Sequence, residues 1–291
     1  MTATVPASAT VAAPGSVVGV FATSHSPGMT GFPERADAAQ ADAVTKALAD
    51  VRDRIAALEP DAIIAVSVEH FSNFSLANLP AFAIATAGAY TGPVTAEMAG
   101  FLKIGQRSYP GHPGLGEHLY RFALESEFDP SLVQGDFEFD ENFCVPLQFL
   151  DPQSRIPVVP IVVNGVNRPA PTLRRCYQFG RMLRAAVAAQ QCAPRVVVLG
   201  TGGLSHWVGM RESGTINEAF DRNFLERLSS GDDAWLTDYR QEEIDQAGNG
   251  ADEIRTWLVA AGAAGTAFDV LAYEPIPAWL TGTAVAAARL P

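Results

Sequence analysis

The chain has 291 residues, of which 48% are hydrophobic and 18% charged, and its formal net charge is −12 with a pI near 4.8. Nucleic acid and anionic membrane surfaces repel such an acidic protein, so neither is expected as a partner. No apolar run approaches the roughly 18 residues that a membrane-spanning helix needs, so we expect no transmembrane segment.

The beginning of the chain is composed of small residues and prolines. Residues 1–15 lack the basic start and the continuous apolar stretch of a signal peptide, and we predict that they form a flexible N-terminal arm. The three cysteines, Cys144, Cys176 and Cys192, are too few and too scattered for a disulfide framework or a Cys-rich zinc site. We therefore expect a protein of the reducing cytoplasm.

The predicted elements follow one another as alternating strands and helices. Residues 16–22 predict a buried strand, and the next segment, 36–58, predicts a helix because its apolar positions step by four and three. Residues 61–70 predict a second buried strand. The other predicted strands are 82–86, 133–139, 157–163 and 195–199, and the other predicted helices are 113–127, 171–189, 215–229 and 251–263.

This alternation predicts an α/β fold, a sandwich in which helices flank a mostly parallel or mixed central sheet. We find no internal repeat, low-complexity block or linker after residue 15. Residues 16–291 are therefore predicted to form a single domain.

Three of the five histidines lie where predicted strands end. His25 follows the strand 16–22, His70 closes the strand 61–70, and His206 follows the strand 195–199 through the loop GTGGLSH. Ligand crevices of open α/β sheets lie beyond the carboxyl ends of the strands, so these side chains are candidates for one site. A single strand-end histidine is more often structural, and the loop glycines are better explained by close backbone packing than by phosphate binding.

A carboxylate is needed to complete a site of two histidines and one acid with open positions for substrate and O2. Glu253 is the best candidate because Trp257, four residues later, shares its predicted helical face and indicates that this face is buried. The alternative is an acid that only favours the start of the helix. A serine hydrolase is not indicated, since no G-x-S-x-G motif is present.

Several segments together resemble the class III (LigB-type) extradiol ring-cleavage dioxygenases, most closely the 2,3-dihydroxyphenylpropionate 1,2-dioxygenase branch. The matching segments span most of the chain: SHSP at 24–27, EHFSNF at 69–74, PVVPIVVNGV at 157–166, GTGGLSH at 200–206, AGNGADEIRTWLVAAGAAG at 247–265 and YEPIPAW at 273–279.

The resemblance implies a set of roles for these residues. His25, His70 and Glu253 would be the ligands of a non-haem Fe(II) cofactor, and His206 would be a catalytic acid/base residue. It also implies O2 and a small aromatic diol as substrates and a homo-oligomeric enzyme.

One position departs from the family pattern. The segment FDENFCVPLQF carries Glu141 where the family has a second active-site histidine. We predict that Glu141 is catalytic, either as a neutral acid or as an anion that favours a substrate with a cationic or hydrogen-bond-donating group. The alternative is that the loop is shifted and Glu141 is only a solvated acid.

The predicted reaction is extradiol cleavage of a catechol-type ring, with His206 accepting a proton from the diol. Two alternatives follow from the departure at Glu141. One is a metal-dependent hydrolase or lyase acting on a related carbonyl or diol compound, which would turn over without O2. The other is a catalytically silent member of the family.

Overall fold

The computed structural model of the chain describes residues 14–290. Its strands are β1 (Ser16–Thr23), β2 (Ala62–Val68), β3 (Phe82–Ala85), β4 (Ala89–Gly92), β5 (Arg107–Pro110), β6 (Ser131–Val133), β7 (Val158–Val163), β8 (Arg195–Thr201), β9 (Phe268–Ile276) and β10 (Thr281–Ala288). Its α-helices are α1 (Gly28–Gly31), α2 (Ala38–Leu58), α3 (Ala96–Leu102), α4 (Pro113–Glu125), α5 (Glu141–Leu150), α6 (Leu173–Ala188), α7 (Glu218–Ser230), α8 (Asp233–Leu236), α9 (Gln241–Asp245) and α10 (Ile254–Ala264). Single 3₁₀ turns lie at Pro33–Arg35, Ala251–Glu253 and Pro277–Trp279.

Eight of the strands form one sheet in the order β6-β3-β7-β2-β8-β1-β10-β9. The four central strands, β7, β2, β8 and β1, are parallel, whereas β3 pairs antiparallel with β7, and β10 pairs antiparallel with both β1 and β9. Strands β4 and β5, which pair antiparallel, form a separate two-stranded sheet. The predicted α/β fold with a mixed central sheet is confirmed.

Helices cover both faces of the sheet. On one face, α2 packs its predicted apolar stripe, including Val44, Leu48 and Val51, into a core that it shares with α5. On the other face lie α4, α6, α7 and α10, and every residue of α10 is buried. A side chain at Gly180 of α6 would meet the carbonyl oxygen of Val259 at 1.9 Å, so the two helices pack backbone against backbone. None of the helices within residues 14–290 combines the length and hydropathy that crossing a bilayer requires.

The sequence-based assignment was wrong or incomplete at several elements. Residues 133–139 do not form a strand, because β6 ends at Val133 and only one isolated bridge, from Glu138 to Thr91, follows it. The alternating pattern there arises because Phe137 and Phe139 pack against Tyr90 without a strand partner. The elements missed by prediction are α1, α3, α5, α8, α9, β4, β5, β9 and β10. The predicted N-terminal arm lies outside the described residues, except for its last two positions.

Candidate active site

Three neighbouring parallel strands bring the candidate histidines together. His25 comes two residues after the end of β1, and His70 comes two residues after the end of β2. His206 follows the end of β8, which lies between β1 and β2 in the sheet. Because the carboxyl ends of parallel strands meet at one edge of a sheet, the three side chains converge there, as predicted.

Glu253 lies at the centre of this group. Its Oε2 atom is 3.3 Å from Nε2 of His25, and its Oε1 atom is 3.5 Å from Nε2 of His70 and 3.5 Å from Nε2 of His206. All four side chains are buried except that of His70, which is 22% exposed. The same ring nitrogen of each histidine therefore faces one carboxylate.

Hydrogen bonds behind His25 set its tautomer. Thr201 Oγ1 lies 2.9 Å from the carbonyl oxygen of Asn142, which can only accept, so the threonine hydroxyl donates its proton there. His25 Nδ1, 3.0 Å from the same Oγ1, must then be the donor. This arrangement leaves the Nε2 lone pair of His25 free to bind a cation.

In the other two histidines, Nδ1 also faces oxygen acceptors. His206 Nδ1 is 2.8 Å from the carbonyl oxygen of Leu204, which assigns the proton to Nδ1 and the lone pair to Nε2. His70 Nδ1 makes no hydrogen bond within residues 14–290, but it lies 3.4 Å from Oδ1 of Asp140 and 3.2 Å from Oε1 of Glu141, so only acceptors face it. In each ring Nε2 is therefore the atom that can bind a cation, after it gives up any proton that it shares with Glu253.

The charges of the site depend on one another. Burial alone would raise the pKa of Glu253, but His25 and His206 hold it well below its usual range. Burial would lower the pKa of His70, yet the nearby Asp140 carboxylate raises it well above the usual value. The pKa of His206 is raised as well, because Glu253 outweighs the effect of burial. Glu253 is therefore held ionised, as a cation ligand must be.

Close backbone packing positions the carboxylate. The backbone N–H of Gly203 donates to Oε2 of Glu253 at 2.5 Å. A side chain at Gly202 would meet the Glu253 carbonyl oxygen at 2.8 Å, which confirms that this loop needs glycine for close packing. Trp257 is fully buried and donates from Nε1 to the carbonyl oxygen of Gly202, as expected for the inward face shared with Glu253.

Two supports of His206 were not foreseen. A side chain at Gly250 would lie 2.0 Å from Nε2 of His206, so this glycine leaves space for the ring. Asp221, fully buried, accepts hydrogen bonds from the backbone and hydroxyl of Ser205 and from the hydroxyl of Tyr273. Burial raises the pKa of Asp221 to about 6, against the opposing effect of these donors. Ser205, the residue before His206, is thus held by Asp221 of helix α7. No local pattern in the sequence indicates this contact.

Glu141 begins helix α5, and the preceding Asp140 caps that helix by accepting from the backbone of Asn142. Glu141 is close to His70 and lines the same cavity as the candidate residues, so it is not a displaced surface acid. His112 and His118 lie elsewhere, the first accepting from the backbone of Leu115 and the second contacting the carbonyl oxygen of Ala186.

The site opens into a cavity of about 410 Å³. This volume lies in the range of cavities that enclose small organic ligands, about 300 to 1,000 Å³. Its floor contains His25, His70, His206, Glu141 and Glu253, and its remaining wall is largely aromatic and aliphatic. The arrangement can enclose a small ligand against the imidazole and carboxylate groups.

The chemistry of these donors fits a divalent transition metal. The ligand atoms of His25, His70 and Glu253 all lie within 4.8 Å of one another, and His206 stands outside this group. A second group, His70 with Asp140 and Glu141, uses the outer side of the same imidazole and is the usual carboxylate support of a metal-binding histidine. Two imidazoles and one carboxylate are the donor set of non-haem Fe(II) oxygenases.

Comparisons with known proteins agree with this geometry. The family described as "Catalytic LigB subunit of aromatic ring-opening dioxygenase" matches residues 19–284. A 2,3-dihydroxyphenylpropionate/2,3-dihydroxicinnamic acid 1,2-dioxygenase of Klebsiella pneumoniae is 28% identical over 89% of this chain and 94% of its own length. A gallate dioxygenase of Pseudomonas putida is 34% identical over 52% of this chain and 45% of its own length. An uncharacterised Escherichia coli K12 protein of known crystal structure shares the fold, with a TM-score of 0.51 and 17% identity over 83% of this chain and 91% of its own.

Proposed function

This chain belongs to the family of catalytic LigB subunits of aromatic ring-opening dioxygenases and is an extradiol ring-cleavage enzyme, and on that premise we propose that it uses Fe(II) and O2 to cleave a catechol-type ring next to its diol. The observation that carries the proposal is the convergence of three imidazole Nε2 atoms on the Glu253 carboxylate at the floor of a ligand-sized cavity.

His25, His70 and Glu253 would hold the Fe(II). When bound, the metal would supply Lewis acidity toward the diol oxygens and a redox centre through which electrons of the diol reach O2. Thr201 orients His25 by accepting a hydrogen bond from His25 Nδ1. The carboxylates of Asp140 and Glu141 lie against Nδ1 of His70 and orient that ring. Such outer contacts fix the ring orientation and raise the basicity of the ligand nitrogen.

His206 is proposed as the acid/base residue. Its Nδ1 proton is held by the Leu204 carbonyl, so in the neutral ring the Nε2 atom at the cavity floor can accept the proton of a diol hydroxyl. The same Nε2 atom can return that proton to the ring-opened product. Asp221 holds the neighbouring Ser205 in place, and Gly250 leaves space for the ring of His206.

Glu141 is proposed to act at the outer side of His70. Its Oε1 atom lies 3.2 Å from His70 Nδ1, and its buried Oε2 atom has no hydrogen-bond partner within residues 14–290. A buried oxygen without a partner is costly unless a ligand supplies one. We therefore assign Oε2 to a hydrogen bond with the bound substrate or its oxygenated product, the role that a histidine has in the family pattern.

Replacing Glu141 by Gln tests this role, because glutamine keeps the shape and one oxygen acceptor but removes the acid. We expect kcat to fall about 10- to 100-fold while iron content is unchanged, as for other outer contacts of metal sites. Glu138→Gln is the control, since Glu138 is exposed and does not line this cavity. If Glu141→Gln matches the parent in kcat, KM and substrate preference, Glu141 has no role in the site.

The activity itself is tested by reconstitution with Fe(II) under anaerobic conditions, followed by screening of substituted catechols in an oxygen electrode. We expect O2 uptake equal to substrate loss and a yellow ring-opened product. Turnover that continues fully without O2, in a protein that retains zinc, would instead show a hydrolase or lyase. The comparisons favour neither that alternative nor a silent protein, because both relatives are named as dioxygenases.

The remaining expectations concern the domain, the location and the assembly of the chain. We propose that residues 16–291 act as one catalytic domain in the cytoplasm and that the chain assembles into a homo-oligomer. A light-scattering mass of 30.9 kDa, that of a single chain, would contradict the assembly.

A further inference from the structure

We propose that the ring substituent of the substrate is uncharged and apolar, an alkyl or aryl group, and that the site discriminates against diols that carry a carboxylate. This inference rests on the proposed catechol cleavage and adds to it the class of substrate. It differs from what the name of the Klebsiella relative indicates, since a propionate chain carries a carboxylate.

The cavity wall away from the acidic floor is apolar and open. Phe71, Phe101, Val208 and Leu280 line the cavity and remain 51%, 50%, 60% and 46% exposed. They are half of the large hydrophobic side chains that are exposed among the described residues. Exposed apolar side chains that gather around one cavity mark a ligand-binding groove more often than a chance surface feature.

Two of these side chains are held there by unusual backbone. Phe71 has a φ of 65° and Leu280 a φ of 66°, in the left-handed region that non-glycine residues rarely adopt. Phe71 directly follows His70, and Leu280 follows the 3₁₀ turn that ends at Trp279. Strained backbone of this kind persists where surrounding structure enforces it, and it clusters at ligand sites. The fold therefore holds these two apolar side chains at the cavity although their backbone conformation is unfavourable.

Away from the floor, the cavity wall carries no charged group. Among the described residues that line the cavity, the ionisable ones are the acids Glu141 and Glu253 and the three histidines of the floor, and there is no lysine or arginine. Arg35 comes near, with its guanidinium 4.8 Å from the ring centroid of Phe32, but it is exposed and is not part of the wall. A substituent carboxylate that lies along this wall would find no lysine or arginine to pair with.

The neutral polar side chains of the wall already have partners. Ser26 donates to the carbonyl oxygen of Trp279, and Ser213 donates to those of Trp207 and Met210. The Asn249 amide is paired with the backbone of Val208 through both its oxygen and its nitrogen.

On this wall, the buried donor Trp279 Nε1 lacks a hydrogen-bond partner within residues 14–290. A single neutral N–H can meet a neutral acceptor but does not compensate the desolvation of an anion. An alkyl or aryl substituent, by contrast, gains from every apolar contact that it makes with this wall.

The test compares two diols that differ only at the end of the same three-carbon chain, 3-propylcatechol and 3-(2,3-dihydroxyphenyl)propionate. We expect the Fe(II)-loaded enzyme to favour the propyl compound about 10- to 100-fold in kcat/KM, the range over which pockets discriminate by one group. Binding of both compounds is measured as well, by anaerobic calorimetry, so that the result does not depend on turnover.

A positive charge placed in the wall should weaken the preference for the propyl compound. Val208→Arg is suitable because only the backbone of Val208 is bound, to Asn249, and its side chain is exposed. The arginine should reduce the preference for the propyl compound at least about tenfold, whereas the control Val208→Met should leave it in place.

The outcomes separate the two proposals. Efficient cleavage of the propionate, at least equal to that of 3-propylcatechol, overturns the substrate class but leaves catechol cleavage intact. If neither diol is cleaved, the proposed function fails, and the calorimetry decides the substrate class: tighter binding of 3-propylcatechol supports it, and equal or tighter binding of the propionate overturns it.

Discussion

Replacing His25, His70 or Glu253 by Ala should lower iron occupancy to near background and abolish ring cleavage. Each variant removes one of the three proposed ligands, whose donor atoms lie within 4.8 Å of one another. Loss of an outer support of a metal ligand already costs about 10- to 100-fold in affinity or activity, so loss of a ligand should cost more than about 100-fold. Iron per chain after anaerobic reconstitution, measured by elemental analysis, gives the result.

Glu253→Gln sharpens this prediction, because the amide oxygen can still accept from Gly203 while the negative charge is lost. The matched control is Glu242→Gln, an exposed acid in α9 that makes no side-chain hydrogen bond in the described structure. Circular dichroism should show that all variants keep the fold, since the sheet and its two cores do not depend on the metal. A variant that binds Fe(II) like the parent would remove its residue from the proposed ligand set.

Replacing His206 by Ala should lower kcat by about 10²- to 10⁴-fold, the range for a positioned acid/base group, without loss of iron. Its Nε2 atom faces the cavity floor but lies outside the group of ligand atoms. A base that must be neutral to accept a proton gives an acidic limb in the pH profile of kcat/KM, and this limb should disappear in the variant. Parental kcat, or loss of iron, would contradict the assignment.

Gly250→Ala tests the same role without touching the imidazole. The added methyl group would lie 2.0 Å from His206 Nε2, so the ring must move or the loop must shift. We expect a loss of kcat with iron retained, whereas Gly105→Ala, where nothing lies within 4 Å, should behave like the parent. Parental activity of Gly250→Ala would mean that the position of the ring is not critical.

The sequence by itself determined the elements whose signals are local. The four-and-three spacing of α2 and the buried runs of β1, β2 and β8 depend on neighbours along the chain, and all four were predicted. The strand-end positions of His25 and His70 followed from the same runs. Glu253 and Trp257 are both buried, as their spacing predicted, but every residue of α10 is buried, so the helix has no single inward face.

Other elements carried misleading local signals. Helix α5 contains Pro146, which disfavours a helix interior, and β10 is an alanine-rich strand buried along most of its length and shows no alternation. The segment 134–139 alternates like a strand, yet strand formation needs a partner, and the described structure gives it only one bridge. Pairing depends on distant parts of the chain, which local spacing does not contain.

Only the tertiary structure decided the detailed chemistry of the site. Hydrogen bonds to Thr201 and to the Leu204 carbonyl set which ring nitrogen of His25 and His206 carries the proton, and these contacts join residues as far as 176 positions apart. The sequence indicated that Glu141 departs from its family, but not that it lies against His70. Hydrogen-bond partners and cavity walls are fixed by packing between distant segments, so their identity appears only once the chain has folded.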